Sequence, residues 1–145
     1  MKHYTPENYD PRNSIGVALG RARNMIVGEM DAALRDLDIN SQQMGIILAL
    51  ERGLAGTPFE LSKLLDIDTG LMTRMLDKLE KQDMLLRERS LDDRRMVNLQ
   101  LTRHGGQVAA QIPHIAPRVL NHRLKEFSAA EFQELQRLLA KFVGA

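Results

Sequence analysis

The chain contains no cysteine. That excludes structural disulfides, thiolate-ligated zinc and oxidant sensing through a thiol. It lacks any apolar run long enough to span a bilayer, and its opening residues MKHYTPENYDPRNS have no apolar core of a signal peptide. A cytoplasmic location with no membrane partner is the expectation. Signatures of catalysis are missing as well: there is no GxGxxG, no GxxxxGK[ST] and no HExxH, and no nucleophile stands beside an activating base. Asp92 and Asp93 could be proposed as a metal pair, but a hairpin tip offers no dry pocket. His104, His114 and His122 follow one another at spacings of ten and eight, neither of which gives the i, i+4 pair of a helical zinc site. No enzyme, no metal and no cofactor are expected. A large excess of one charge is also absent. The formal net charge is +1, so any binding to a polyanion must rest on local clustering.

What is present is an ordinary globular balance, with 43% hydrophobic and 27% charged residues in a chain of 145. That length allows one domain with a core, or a small domain with added dimerisation helices. The first 13 residues are polar, contain Pro6 and Pro11, and read as an irregular arm. Asn13 or Ser14 caps a first helix, in which Ile15, Leu19, Ala22, Ile26 and Ala33 form a stripe expected to be buried, ending near Leu37. Ser41 is expected to cap a second helix, which stops at Gly53. Thr57-Pro58-Phe59-Glu60 reads as a capping box with proline at the first helical position, opening a short third helix that ends near Leu65. Asp68 or Thr69 caps a fourth, with Leu71, Met72, Met75, Leu76 and Leu79 apolar. Gly70 in its first turn permits close backbone approach.

Leu85 to Arg89 and Met96 to Leu101 are predicted strands; Val97, Leu99 and Leu101 alternate with polar residues. Thr102 caps a long helix that Pro113 and Pro117 should kink or split. Ser128-Ala129-Ala130-Glu131 is a capping box for the last helix. Met44 and Met72 read as core filling.

Two short helices followed by a hairpin with Asp92, Asp93, Arg94 and Arg95 at its tip form the plan of a winged helix-turn-helix. The fold class is mainly α with a small β-hairpin wing, and the implied partner is double-stranded DNA. The basic residues between Arg74 and Arg103 are interleaved with Asp77, Glu80, Asp83, Glu88, Asp92 and Asp93, so facing must sort them. On the fourth helix, Thr69, Gly70, Thr73, Arg74 and Lys78 lie on or near the polar side. Arg74 can read guanine, Thr73 can meet a thymine methyl or a phosphate, and Lys78 suits phosphate. At the tip, Asp93 is expected to pair with the Arg95 side chain and hold it extended, while Arg94 faces phosphate. The apolar stripes of the terminal helices exceed what a small winged domain can cover, so a homodimer is expected.

TPFELSKLLDIDTGLMTRMLDKLEKQDMLLRERSLDDRRMVNLQLT resembles the MarR family of bacterial transcriptional regulators, most closely at LMTRMLDKLEKQ and DDRRMVNLQLTRHG. The resemblance extends over nearly the whole chain. It implies one unit over 1–145, with a winged helix-turn-helix at 41–102 and dimerisation helices at 13–37 and 103–145. It also implies a palindromic, inverted-repeat operator, a repressor's role, Thr73 and Arg74 as recognition-helix contacts, and Asp93 with Arg95 as the wing pair. Family members often release DNA on binding a small aromatic carboxylate or phenolic effector; the positions that match such a ligand site are Pro58, Thr73 and Arg87. The alternative is an effector-independent, architectural DNA-binding protein.

Overall fold

A computed structural model describes residues 1–145. Ser14 caps helix α1 (Ile15–Ala33), its side chain accepting from the Val17 amide. The arm before it folds back: the Ile15 amide donates to the Tyr4 hydroxyl at 2.8 Å, and Tyr4 meets Tyr9 edge to face. The helix does not run regularly to Leu37. It ends at Ala33, and a 3-10 turn over Arg35–Leu37 leads to Asp38 in the left-handed region, with φ 58. Only Met30 of α1 is buried. The expected buried stripe through Ile15 and Ile26 is exposed in the single protomer, because nothing from the same chain lies over it.

Helix α2 (Ser41–Glu51) is capped by Asn40 rather than by Ser41. Asn40 and Gln43 exchange side-chain and backbone hydrogen bonds, at 2.9 Å and 3.0 Å. That arrangement satisfies two amides at once and needs the amide side chain three residues on, which a Ser41 cap would lack. Helix α3 (Pro58–Leu65) starts as expected on Thr57, whose hydroxyl accepts from the Glu60 amide at 3.2 Å. Glu60 reaches one residue further back, accepting from the Gly56 amide at 3.2 Å, so the box is open on one side. Asp68 caps helix α4 (Thr69–Lys81).

Strands β1 (Leu85–Arg89) and β2 (Val97–Leu101) form an antiparallel hairpin in which Arg87 faces Leu99 across the pair. Met96 lies just outside the ladder and closes the wing loop instead, its carbonyl accepting from the Ser90 amide at 2.9 Å. The Leu99 amide donates to Gly56 at 2.8 Å, which ties the entry to α3 onto the wing. Thr102 caps helix α5 (Arg103–Leu124), which runs unbroken through Pro113 and Pro117. The expected split does not occur. Burial of Val108, Ala109 and Ile112 holds the helix together across the missing hydrogen bonds. Helix α6 (Ala129–Val143) starts on the full capping box of Ser128 and Glu131.

One apolar core joins α2, α3, α4, the wing base and the first half of α5; it includes Leu34, Ile46, Ile47, Leu61, Leu76, Leu79, Leu85 and Ile112. Each fully buried Leu or Ile contributes roughly 1.5–3 kcal/mol. Met72 is 1% exposed and belongs to this core; Met44 packs against it. No residue of α6 is buried. Phe132, Leu138, Leu139 and Phe142 of α6 are exposed, as are Ile15, Met25 and Ile26 of α1. No helix is long and apolar enough to cross a membrane.

Candidate nucleic-acid interface

Helix α4 separates its residues by period. Met72, Met75, Leu76 and Leu79 are buried, whereas Thr69, Gly70, Thr73, Arg74, Asp77 and Lys78 are exposed. Those six share the outer face over about two and a half turns, since positions three and four apart are neighbours on a helix. Arg74 and Lys78 form no ion pair. Thr73 spends its hydroxyl proton on the Thr69 carbonyl at 2.9 Å. In that rotamer it offers its methyl group and an acceptor oxygen, which suits a thymine methyl better than a phosphate. A Cβ added to Gly70 would come within 3.3 Å of Asp68 Oδ1 and 3.9 Å of Arg74 Nη1. Glycine here therefore keeps the capping carboxylate of Asp68 uncrowded.

The wing loop is built from two side-chain-closed turns. The Ser90 hydroxyl accepts from the amides of Asp92 and Asp93 at 3.3 Å and 3.4 Å. Asp93 Oδ1 accepts from the Arg95 backbone amide at 2.9 Å. This corrects the expected ion pair: Asp93 positions the Arg95 backbone and leaves its guanidinium free. An aspartate closing a turn on the amide two residues ahead is the local solution a tight tip favours. Arg94 and Arg95 are exposed and form no salt bridge.

Arg87 is where the site departs most from expectation. Strand alternation puts it on the same side as buried Leu85, facing α4. Its Nη2 donates to Asp77 Oδ1. Its Nε lies 2.9 Å from Glu80 Oε2, a charge contact without hydrogen-bond alignment. Of the interleaved acidic residues, Asp77 and Glu80 pair with Arg87 and Asp93 closes the wing turn, while Glu88 and Asp92 stay exposed without an ion pair. Arg74 and Lys78 on the helix and Arg94 and Arg95 on the wing are outward cations that form no ion pair. This sorting by facing was invisible in the composition.

The residues implied for an effector do not share one cavity. A groove of about 460 Å³ between the start of α3 and the wing is lined by Thr57, Pro58, Phe59, Glu60, Arg95, Met96 and Val97. It contains Pro58 but neither Thr73 nor Arg87.

Two residues that sequence reasoning passed over position the site. Gln82, which caps the end of α4, donates from Nε2 to the Asp38 carbonyl at 2.6 Å, and its Oε1 accepts from buried Gln43 at 3.1 Å. Gly105 lies against the Met84 carbonyl so closely that any Cβ would overlap it. The inward face of Arg87 had a signal, its two-residue spacing from Leu85. Gln82 and Gly105 had none in one sequence.

The comparisons agree with this geometry. Residues 39–97 match the model of the MarR family. The chain is 32% identical over 130 residues to the multiple antibiotic resistance protein MarR of Escherichia coli, spanning 86% of this chain and 90% of the relative. It is similar to the structure of a cysteine-to-serine variant of MarR from E. coli complexed with operator DNA, with 29% identity and a TM-score of 0.80 over 92% of this chain and 99% of that one. A structure of Bordetella bronchiseptica BpsR, described in terms of regulation of its DNA binding by 6-hydroxynicotinic acid, shares the fold at 21% identity, with a TM-score of 0.84 over 94% and 98% of the two chains. With its outward cations on helix and wing, its core and its relatives all in accord, the chain belongs to the MarR family of winged-helix, DNA-binding transcriptional regulators.

Proposed function

We propose that the protein is a homodimeric repressor that binds an inverted-repeat operator. In this reading α4 lies in the major groove and the wing reaches the minor groove. The observation that carries it is the row of unpaired cations on α4 and the wing, set beside apolar terminal helices that the protomer leaves uncovered. An isolated helix the length of α6 is marginal in water, so its apolar side needs a partner. A second copy supplies one with the same chemistry, and a two-fold dimer presents two recognition helices to a palindrome. Thr73 and Arg74 would read bases, Arg95 would enter the minor groove, and Thr69, Gly70, Lys78, Arg94 and Asp93 would approach or position the backbone contacts.

The effector is proposed as a small aromatic carboxylate. The groove beside Pro58 supports a changed assignment of its partner: Arg95, not Arg87, is the cation lining that space. A ligand held there would compete with DNA for the wing arginine. Light scattering at micromolar concentration should give about twice 16.4 kDa. Selection from random duplexes should return an inverted repeat. A monomer that binds DNA as one copy refutes the dimer reading. A gel-shift unmoved by any aromatic acid leaves the effector-independent regulator.

A further inference from the structure

We propose that Arg87 is a positioning residue: by bridging Asp77 and Glu80 it locks the wing to α4 and so sets the distance between the two elements that reach DNA. The inference rests on α4 and the wing acting together on one duplex, and it assigns Arg87 a role distinct from contact with DNA or with an effector.

The geometry is specific to these three residues. Asp77 and Glu80 are three apart on α4, so both side chains leave the same flank of the helix. Arg87 sits at the middle of β1, inward-facing, with Leu99 opposite it on β2. One guanidinium nitrogen takes Asp77 and another faces Glu80. The Arg87 side chain is only 29% exposed, whereas Asp77 and Glu80 are 51% and 47% exposed. Arginine alone among the cations can serve two carboxylates through a rigid fork; lysine offers a single point charge. Isolated surface pairs are worth little, but a bridged network with fixed geometry is the exception.

The cluster also has an electrostatic consequence. Two bare carboxylates beside Arg74 and Lys78 would repel phosphate and weaken the free cations there. Paired with Arg87, the two carboxylates keep a net charge of about −1 instead of −2, and the repulsion is reduced. The wing otherwise touches the body mainly at its base, through Leu85, Leu99 and the Gly56 hydrogen bond. The ion cluster adds a polar tie to the recognition helix, outside the apolar core that Leu85 shares with Leu76 and Leu79.

The test has two arms on the full-length protein. In the first, amide hydrogen exchange is followed without DNA for the parent, Arg87→Met, Asp77→Asn/Glu80→Gln and the triple variant. Exchange in the wing should rise roughly three- to tenfold in Arg87→Met, with amides of α2 and α5 unchanged. The acid-neutral variant should show a similar rise. The triple variant should show no more than either, because all three remove one cluster. In parent protein, about 1 M salt should produce part of the same rise by screening. Arg87→Lys should recover only part of the parent's protection. Unchanged wing exchange, or effects that add in the triple variant, would overturn the proposal whether or not the protein binds DNA.

In the second arm, selected operator DNA is titrated with the same proteins. Arg87→Met should lose roughly three- to tenfold in affinity, and neutralising both acids in that background should recover more than it gains in the parent. Equal gains in both backgrounds would show that Arg87 acts alone, as a phosphate contact. If the exchange arm succeeds and no duplex is bound by any variant, the DNA-binding reading fails while the lock itself stands.

Discussion

Gly105 and Gly106 are adjacent in α5, yet alanine should act in opposite directions at the two. A Cβ at 105 would overlap the Met84 carbonyl oxygen and lie 3.0 Å from its carbon and 3.2 Å from Leu101 Cδ2. Nothing lies within 4 Å of a Cβ at 106. Alanine in place of helical glycine gains up to about 1 kcal/mol from reduced unfolded-state freedom. At 106 that gain stands alone. At 105 it is opposed by overpacking against backbone, about 1–3 kcal/mol, because Met84 and Leu85 are buried and cannot move aside freely. The hydrogen bond from the Thr102 amide to the Met84 carbonyl, at 3.1 Å, is strained as well, for about 1 kcal/mol more. The net expectation is a loss of about 1–3 kcal/mol for Gly105→Ala and a gain of up to about 1 kcal/mol for Gly106→Ala. Urea unfolding at one fixed protein concentration measures both, since a dimer's stability depends on concentration. Equal shifts of the same sign would mean that α5 does not seat on the wing base through Gly105. The functional stake is direct, because that contact joins the winged unit to the terminal helices.

Other outcomes follow from the site. Arg95→Ala should weaken operator binding by about 1–3 kcal/mol per subunit in a filter or anisotropy assay, and Asp93→Ala should weaken it less, because Asp93 holds only the Arg95 backbone. Parent-like affinity for Arg95→Ala across several salt concentrations would remove the wing from the interface. Arg74→Ala should relax sequence preference at one position per half-site, whereas Lys78→Ala should weaken all duplexes alike and lower the salt slope by about one ion per contact. Equal losses on specific and random DNA for Arg74→Ala would argue against base reading. Arg123 donates to Glu29 and holds its carboxyl below the usual carboxylate range, which ties α5 to α1. A depressed folded value stabilises the protein above the ordinary carboxylate pKa, and the benefit is lost as pH falls through the depressed value. Glu29→Gln should therefore flatten the acid limb of the thermal midpoint against pH; a limb identical to the parent's would show that the pair contributes nothing.

Much of this protein was legible without coordinates. The caps at Thr57, Thr102 and Ser128 could be read, and those at Ser14 and Asp68 to within one residue, because capping is a local transaction between a side chain and an amide three residues on. The buried side of α4 followed from the spacing of Met72, Met75, Leu76 and Leu79, and the strands from their period of two. The DNA-facing candidates Arg74, Arg94 and Arg95 followed from helix order and hairpin position. The cap on α2 was local as well, made by Asn40 with Gln43 three residues on rather than by the expected Ser41. Two things were decided only by tertiary structure. Pro113 and Pro117 did not split α5, because burial of its neighbouring residues outweighs the local penalty. Arg87 and Gly105 took their roles from surfaces that lie far off in the chain or belong to another element: the Asp77–Glu80 flank of α4 and the Met84 carbonyl at the foot of the wing. Sequence spacing reports which residues share a face. It does not report what that face meets, and the pairing of charges across two elements depends on that meeting.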